Sequence, residues 1–490
     1  MSIELPKTYS PKEVEDKIYK LWEESGFFNP DNLPGDRKEI FSVALPPPNA
    51  TGTLHLGHAL EYSLQDAVVR YHRMKGEKVL WVPGTDHAAI ATNTKVEKIL
   101  IKEEGKNRHD IGREAFVKKV EDFVANSRNT MQRQIRKIGA SLDWSREAFT
   151  FDEQRSLGVR TAFKRMYDTG LVYKGYRVIN WDPKGQTTVS DDEVQHKPEK
   201  GTLYTFRYSA DFPIEIATTR PETKVGDTAV AVHPEDKRYS QYVGKEYDIE
   251  FAGKKLNLKI IADESIDPEF GTGAVGITPS HSITDSEIAQ RHNLTGITVI
   301  NEYAKMTDEA GSLVAGKKTK EAREIIVAWL KDKKLLSKED SIELNISVAE
   351  RSGGTIEPLP KLQWFVAVNK EFEIGKSSIK GIENNSKTTL KEIMRKSVAG
   401  GQVVIVPERE EKKYFHWIDS LRDWNISRQL WYGHRIPVWY KKDEIFCNTE
   451  APTDAGWEQD PDTLDTWFSS ALWTFSTLCL TNKYAPDLKT

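Results

Sequence analysis

Cysteine is almost absent from this 490-residue chain, which has only Cys447 and Cys479. Two thiols cannot build a disulfide framework or a Cys-rich zinc site, and they fit a reducing, cytoplasmic setting. Long apolar runs are missing too. No stretch of roughly 18 apolar residues occurs, so no membrane-spanning helix is predicted. The first residues, MSIELPKTYSPKEVEDKIYKLWEESGFF, contain neither an apolar signal core nor an Arg-rich transit pattern. A large excess of charge is lacking as well. The formal net charge of −4 argues against non-specific coating of nucleic acid but leaves room for a local basic face. Arg128, Arg133, Arg136 and Lys137 form one such segment, for which a solvated helix face is the default reading. Internal repeats and low-complexity tracts are also absent. What remains is an ordinary mixture, 38% hydrophobic and 29% charged, in a chain too long for a single core, so two or more domains are expected.

The pattern along the chain begins with an amphipathic helix over 11–26, with Val14, Ile18, Leu21 and Trp22 on one face. A strand is predicted at Ile40–Leu45, followed by a stiff loop, Pro46–Thr53. A helix then opens near Leu54–His58 and runs to about Tyr71, with Leu60, Leu64, Ala67 and Val68 on its buried side. A second strand, Val79–Val82, leads through Pro83-Gly84-Thr85 to a helix starting close to Asp86. Two β-loop-α units in this short space predict a parallel, doubly wound sheet. After Val194 the texture changes to short β-rich runs, among them Leu203–Tyr208, Ile214–Thr218, Ala229–Val232 and Lys259–Ala262. From Thr355 the α/β texture returns. The predicted fold class is therefore α/β: a split, doubly wound parallel domain of Rossmann type with an inserted β-rich domain. The expected boundaries are a helical segment at 1–37, the first part of the α/β domain at 38–197, the insertion at 198–348 and the continuation at 349–490.

The strongest motif is PPPNATGTLHLGHAL, Pro46 to Leu60. Prolines keep the loop extended after the strand. Gly52 and Gly57 allow the backbone to approach a ligand closely. His55 and His58 stand at a helix N-terminus, where backbone N–H groups and the helix dipole favour anions. A lone His-x-x-His says little; the order strand, Pro-rich loop, His-Leu-Gly-His, helix points to a polyphosphate site. The second motif is WVPGTDHAAIATN, Trp81 to Asn93, which places Asp86 near a helix start. The default role of such an aspartate is a helix cap.

His55-Leu56-Gly57-His58 resembles the His-Ile-Gly-His signature of the class I aminoacyl-tRNA synthetases, and the surrounding words resemble those of its valine branch. The resemblance implies that both histidines stabilise charge developing on the α-phosphate of ATP, accompanied by Mg2+, as an amino-acid carboxylate attacks. It implies contacts to ATP from Thr51, Gly52, His55, Gly57 and His58. Gly84-Thr85-Asp86-His87-Ala88 is the form of the valine branch, which implies that Asp86 binds the ammonium group of valine, with Pro47 and Asn49 nearby. DWNISRQLWYGHRIPVWY (Asp423–Tyr440) and DTLDTWFSSALW (Asp462–Trp473) match two further family stretches that line the adenylate pocket. Among them Ser427, Arg428, Gln429, Asp465 and Ser469 stand out, and Trp424 and Trp467 are candidates for the aliphatic slot. Trp431, Trp439 and Trp473 are expected in the core. Asp182, Gly185, Ala349 and Asn425 stand where some relatives carry cysteine, so no structural zinc and no other resident metal is expected.

The insertion resembles the family's editing domain, which hydrolyses wrongly charged tRNA. A hydrophobic pocket rejects poorly an isostere that merely adds a hydroxyl, as threonine does to valine. ATTRPETKVGDTAVAVHP (Ala217–Pro234) and GTGAVGITPSHSITDSEIAQRHNL (Gly271–Leu294) match its two halves. Thr218, Thr219, Arg220, Thr223, Thr278 and Asp285 are carried over as editing residues, although Thr-Thr by itself would read as strand propensity. Two positions depart from the family's Lys-x-Thr-Pro-x-His-Asp-Pro-x-Asp: the lysine is Gly276 and the first aspartate is Ser282. Weakened or shifted editing is the expectation.

The second class signature, Lys-Met-Ser-Lys-Ser, has no match in the chain, and neither does a helical anticodon-binding domain. The resemblance therefore implies a truncated form of an enzyme that joins valine to tRNA(Val) at the expense of ATP, expected to be a cytoplasmic monomer without membrane contact. The alternative is a free-standing tRNA-deacylating or RNA-binding fragment lacking ligase activity.

Overall fold

The computed structural model describes residues 8–478. They fall into two compact units, one built from the chain up to Val172 together with the chain from Ser427, the other from Tyr173–Ile426. The second unit extends beyond the 198–348 insertion on both sides.

In the first unit the strand Ile40–Val43 runs parallel to Lys78–Trp81, in register from Ile40↔Lys78 to Val43↔Trp81. The chain continues into Gly84–Thr85, which pairs in parallel with Ala148–Phe149. This is the expected parallel α/β core, and Leu45, Tyr62, Val69, Val79, Trp81, Ile135 and Leu142 fill it. Trp473 is buried against Leu80, Val82 and Ala148, as expected of a core tryptophan. No described helix is long and apolar enough to cross a membrane.

The helix Leu56–Met74 forms but turns the opposite way to expectation. Leu60, Leu64, Ala67 and Val68 are exposed, and Tyr62 and Val69 are buried. The reason is the polar side of the helix, which is bonded to its neighbours. Gln65 Oε1 accepts from Trp81 Nε1 at 3.0 Å, and Asp66 Oδ1 accepts from the Ser141 amide at 2.9 Å. Arg70 Nη2 donates to Gly139 O at 2.9 Å, and Arg73 Nη2 to Ser141 O at 2.8 Å. These fixed bonds outweigh burial of the leucine stripe. The amino-terminal helix, Pro11–Glu24, likewise buries Tyr19 and leaves Ile18, Leu21 and Trp22 exposed. Tyr19 donates to Ala140 O at 2.9 Å and accepts from Trp144 Nε1 at 2.7 Å.

The basic segment on the helix Arg113–Ile138 is largely committed inside the protein. Arg128 reaches Glu147 at 2.8 Å, Arg136 reaches Glu23 at 3.1 Å and lies over the Trp144 ring, and Lys137 pairs with Asp16.

The second unit holds three larger sheets. Val194–Phe206 pairs antiparallel with Leu336–Ala349 along almost its full length, and Ile216–Thr218 adds to its other edge. A four-stranded sheet has the order Glu246–Phe251, Lys254–Ala262, Ala229–Val232, Ala274–Ile277. A third contains Trp424–Asn425, Glu357–Val366, Val172–Asp182 and Thr187–Thr188. The predicted β runs thus form with altered bounds: the first lies in the strand that ends at Phe206, the second is shortened to Ile216–Thr218, the third matches, and the fourth is part of the longer Lys254–Ala262. A core from Ile179 to Phe365, including Phe206, Tyr208, Phe212, Phe251 and Leu258, joins them.

Candidate functional site

The Pro-rich loop and the second motif are held side by side. Asn49 and Asp86 form a parallel bridge, in which the Ala50 amide donates to Asp86 O at 2.8 Å and the Asp86 amide to Pro48 O at 2.9 Å. His55 is the N-cap of the helix Leu56–Met74: its Nδ1 accepts from the Gly57 amide at 3.1 Å. His58 completes the box, with Nδ1 accepting from the His55 amide at 3.2 Å. A backbone N–H can only donate, so both Nδ1 atoms are acceptors and both rings carry their proton on Nε2. Two imidazole donors, with ring centroids 3.8 Å apart, thus stand at the positive end of a 19-residue helix. Burial, reinforced by the charge of His55, pulls the His58 imidazole below its ordinary value. Gly57 belongs to this arrangement, since a Cβ there would lie 3.0 Å from the His55 ring. Thr51 and Gly52 are half-buried on the same loop, with Pro47 half-buried and Asn49 exposed before them.

Asp86 is not a helix cap. The helix Ala89–Glu104 starts after Ala88, a left-handed residue, and the Ala88 amide donates to Asp86 Oδ1 at 2.7 Å. Ser470 Oγ donates to Asp86 Oδ2 at 2.5 Å. Burial alone would raise the Asp86 carboxyl; His87, Ser470 and the Ala88 amide outweigh it and hold the group below its ordinary value. A fixed carboxylate therefore faces this corner: Oδ1 accepts from both the Ala88 amide and Thr150 Oγ1, the latter at 3.4 Å, and Oδ2, which accepts from Ser470, keeps a further acceptor direction. Thr150 Oγ1 bridges the neighbourhood, accepting from the His87 amide at 2.9 Å and meeting His87 Nδ1 at 2.8 Å. His434 Nε2 contacts Thr150 O at 3.0 Å, and Asn93 Nδ2 donates to Tyr432 O at 2.9 Å.

The later motifs supply the frame. Ser427 and Arg428 pair with Leu464 and Thr463 as short antiparallel strands. Arg428 and Asp465, both buried, form an ion pair at 2.6 Å, and Asp465 caps the helix Thr466–Ser470. Gln429 Nε2 donates to Asp462 Oδ2 at 2.8 Å. The short helix carries buried Ser469 and exposed Trp467, and its last residue, Ser470, is the one that reaches Asp86. Ser469 stands out in the sequence, whereas Ser470 and Thr150 do not; only the adjacency of Ser470 to Ser469 hints at the former. Trp424 lies in the other unit, on a strand paired with Glu357–Val366.

That unit gathers the second set of residues. Thr218 Oγ1 accepts from the Arg220 amide at 3.1 Å, and Thr223 Oγ1 donates to Arg220 O at 2.9 Å. Thr219, between them, is half-buried. The Arg220 guanidinium is held by Glu222 at 3.1 Å and Glu357 at 2.7 Å. Across from this loop the Thr278 amide donates to Asp285 Oδ2 at 2.8 Å, and Ser282 Oγ donates to Asp285 Oδ1 at 2.9 Å. Lys224 joins the two halves, with its Nζ 2.8 Å from Thr278 Oγ1. His281 is structural: its Nε2 accepts from the Val299 amide at 2.8 Å and the Ile300 amide at 3.2 Å, and Nδ1 faces Pro358 O at 3.2 Å. Burial pushes its pKa down to about 4.

A pH dependence follows. An unfolded histidine takes up a proton near its ordinary value of about 6.5, whereas His281 in the fold resists until about 4. The unfolded chain binds the extra proton between these values, so stability is fully present above the upper one and is lost as pH falls toward the lower. The loss is expected to be on the order of 3 kcal/mol. Urea denaturation of wild type and His281→Gln at steps between these values checks it; equal slopes would remove His281 as the cause.

Among the described residues no cluster of three or more His, Cys, Asp or Glu side chains is arranged to hold a metal ion. The family model described as class I tRNA synthetases (I, L, M and V) matches residues 17–456. The valine–tRNA ligase of Clostridium acetobutylicum is 44% identical over 486 residues, covering 97% of this chain and 52% of that protein. That of Lactobacillus johnsonii is 46% identical over 493 residues, covering 99% and 53%. The chain thus spans about half the length of the curated relatives it matches. A solved structure titled as the ternary complex of Agrobacterium radiobacter K84 agnB2 LeuRS-tRNA-LeuAMS aligns with 99% of this chain and 61% of its own, at 16% identity and a TM-score of 0.43.

Proposed function

From the premise that this chain belongs to the class I tRNA synthetases, we propose that it carries the activating site of a valine–tRNA ligase together with a hydrolytic editing site. The observation that supports it most is the parallel bridge Asn49–Asp86, which holds the fixed Asp86 carboxylate beside the loop that leads into His55 and His58, whose Nδ1 atoms are both acceptors. Asp86 takes the ammonium group of valine, with Pro47, Asn49 and Trp467 as further amino-acid contacts. ATP, with its Mg2+, lies along Thr51, Gly52 and Gly57 at the helix N-terminus. The valine carboxylate oxygen forms a bond to the α-phosphorus while the bond to pyrophosphate breaks. His55 and His58 donate from Nε2 to the oxygens on which charge grows, so the chain contributes orientation and preorganised dipoles rather than a covalent intermediate. The valyl group then passes to a hydroxyl of tRNA(Val).

The editing site is assigned to the second unit, to Thr218, Thr219, Arg220 and Thr223 together with Thr278 at the end of the strand Ala274–Ile277 and Asp285 in the first turn of the helix Ile283–His292. Water attacks the ester carbonyl of threonyl-tRNA(Val), the ester bond breaks, and threonine and free tRNA leave. A cytoplasmic, monomeric ligase is the setting this reading implies.

The test is amino-acid-dependent ATP–pyrophosphate exchange, run on this chain and on a version extended to the length of its relatives. Valine is expected to drive exchange faster than isoleucine or leucine, and threonyl-tRNA(Val) is expected to be hydrolysed. Faster exchange with isoleucine or leucine would overturn the valine assignment.

A further inference from the structure

Lys224 is almost fully buried, yet its ammonium is completely satisfied. Nζ lies 2.7 Å from Gly276 O, 2.8 Å from Thr278 Oγ1 and 3.2 Å from Asp227 Oδ1. An ammonium has three N–H bonds, and all three are spent on these atoms. Lys224 therefore has no donor left for a ligand and acts only through what it holds. Its partners form a closed interior set. Thr278 Oγ1 donates its proton to Asp227 Oδ1, and Tyr208 OH donates to Asp227 Oδ2. Thr278, buried like Asp227, cannot offer its hydroxyl outward. The accessible end of the chain of contacts is Asp285, half-buried, whose carboxylate is held by the Thr278 amide at 2.8 Å.

The neighbouring glycine explains why the cation comes from this direction. A Cβ on Gly276 would lie 2.2 Å from both Asp227 Oδ2 and Tyr208 OH. The space beside Gly276, where the family pattern reads lysine, is occupied by those two oxygens. The cation that neutralises Asp227 enters instead from the 3-10 turn Pro221–Gly226.

We propose that Lys224 is a positioning residue of the editing pocket: lodged on Gly276 O and Thr278 Oγ1, it fixes the strand end that aims Asp285 at the free ammonium group of an aminoacyl ester. This rests on the hydrolytic reading of the second unit. The ligand class is an aminoacyl ester with an unblocked amine, because a carboxylate held by one amide and one hydroxyl has acceptor capacity left for an ammonium.

The experiment uses the whole chain and two substrates, threonyl-tRNA(Val) and N-acetyl-threonyl-tRNA(Val), in which the ammonium is removed. Wild type is expected to prefer the free amine. Lys224→Met is expected to raise KM for the free-amine ester by about tenfold and to erase most of the preference, with kcat little changed, as loss of a charge-assisted contact predicts. Lys224→Arg, which restores a cation, should recover part of the preference. Lys224→Met/Gly276→Lys should not, because the place beside position 276 is taken. Thermal melting of each variant separates this from simple unfolding, which would lower activity on both substrates together. An unaltered preference in Lys224→Met overturns the proposal and leaves the hydrolytic reading intact. Absence of hydrolysis in wild type overturns the hydrolytic reading itself, and the proposal with it.

Discussion

Valine-dependent ATP–pyrophosphate exchange is expected to fall by about 10²- to 10³-fold when His58 is replaced by alanine, the usual cost of removing one preorganised donor from a developing charge. The geometry makes each histidine both a cap and a donor, and the two roles have to be separated. His55 Nδ1 caps the Gly57 amide and His58 Nδ1 caps the His55 amide, which leaves only Nε2 for chemistry. Asparagine is among the best N-caps, whereas alanine at such a position costs about 1 kcal/mol. His55→Asn should therefore keep the melting temperature of wild type and still lose exchange, by about the same factor as His58→Ala. His55→Ala should lose both. Exchange restored to the wild-type rate in His55→Asn would mean that the imidazole serves only as a cap, and the assignment of charge stabilisation to His55 would be withdrawn.

The contrast between these histidines and the rest of their helix shows what local sequence carries. A cap is a local event: Gly57, His55 and His58 lie within one turn, so the motif itself dictates the contacts. Which stripe of the same helix meets the core is not local. Leu56, Leu60, Leu64 and Val68 make the better apolar stripe, yet the protein buries Tyr62 and Val69 because Asp66, Arg70 and Arg73 have partners at 139–141, far along the chain. Asp86 shows the same limit. Its motif places it before a helix, where capping is the ordinary outcome. Contacts from Ser470, 384 residues away, together with Thr150 and His87 convert it into a fixed, buried carboxylate. The parallel strands and the β-rich insertion are legible because period and texture are properties of short windows. Lys224 is not, since a lysine in a short turn reads as a surface residue until Asp227, Thr278 and Gly276 are seen around it.

Glu222 offers the sharpest test of such long-range pairing. Its side chain is fully buried between two guanidinium groups: Arg323 Nε and Nη2 lie 2.8 Å from its two oxygens, and Arg220 Nε lies 3.1 Å from Oε1. Burial alone would raise its pKa, but the hydrogen bonds from Arg323 and the charges of Arg220 and Arg323 reverse the effect and keep the carboxyl below its ordinary value. The residue is thus an anion at neutral pH, held where an unpaired charge would be costly. Glu222→Met removes the anion but leaves Arg323 half-buried beside an apolar side chain, and Arg220 with Glu357 as its remaining carboxylate partner. Removing one member of a buried pair typically costs about 3–5 kcal/mol, whereas replacing both members with apolar groups of similar volume is often close to neutral. Urea unfolding of wild type, Glu222→Met, Arg323→Met and the double variant should therefore be strongly non-additive, with the double variant more stable than the sum of the singles predicts by more than about 1 kcal/mol. Because Arg220 shares Glu222, deacylation of threonyl-tRNA(Val) should fall in the double variant even where stability recovers. Additive stability losses would show that Glu222 and Arg323 do not act as a pair, and an unchanged deacylation rate would detach Arg220 from the editing reaction.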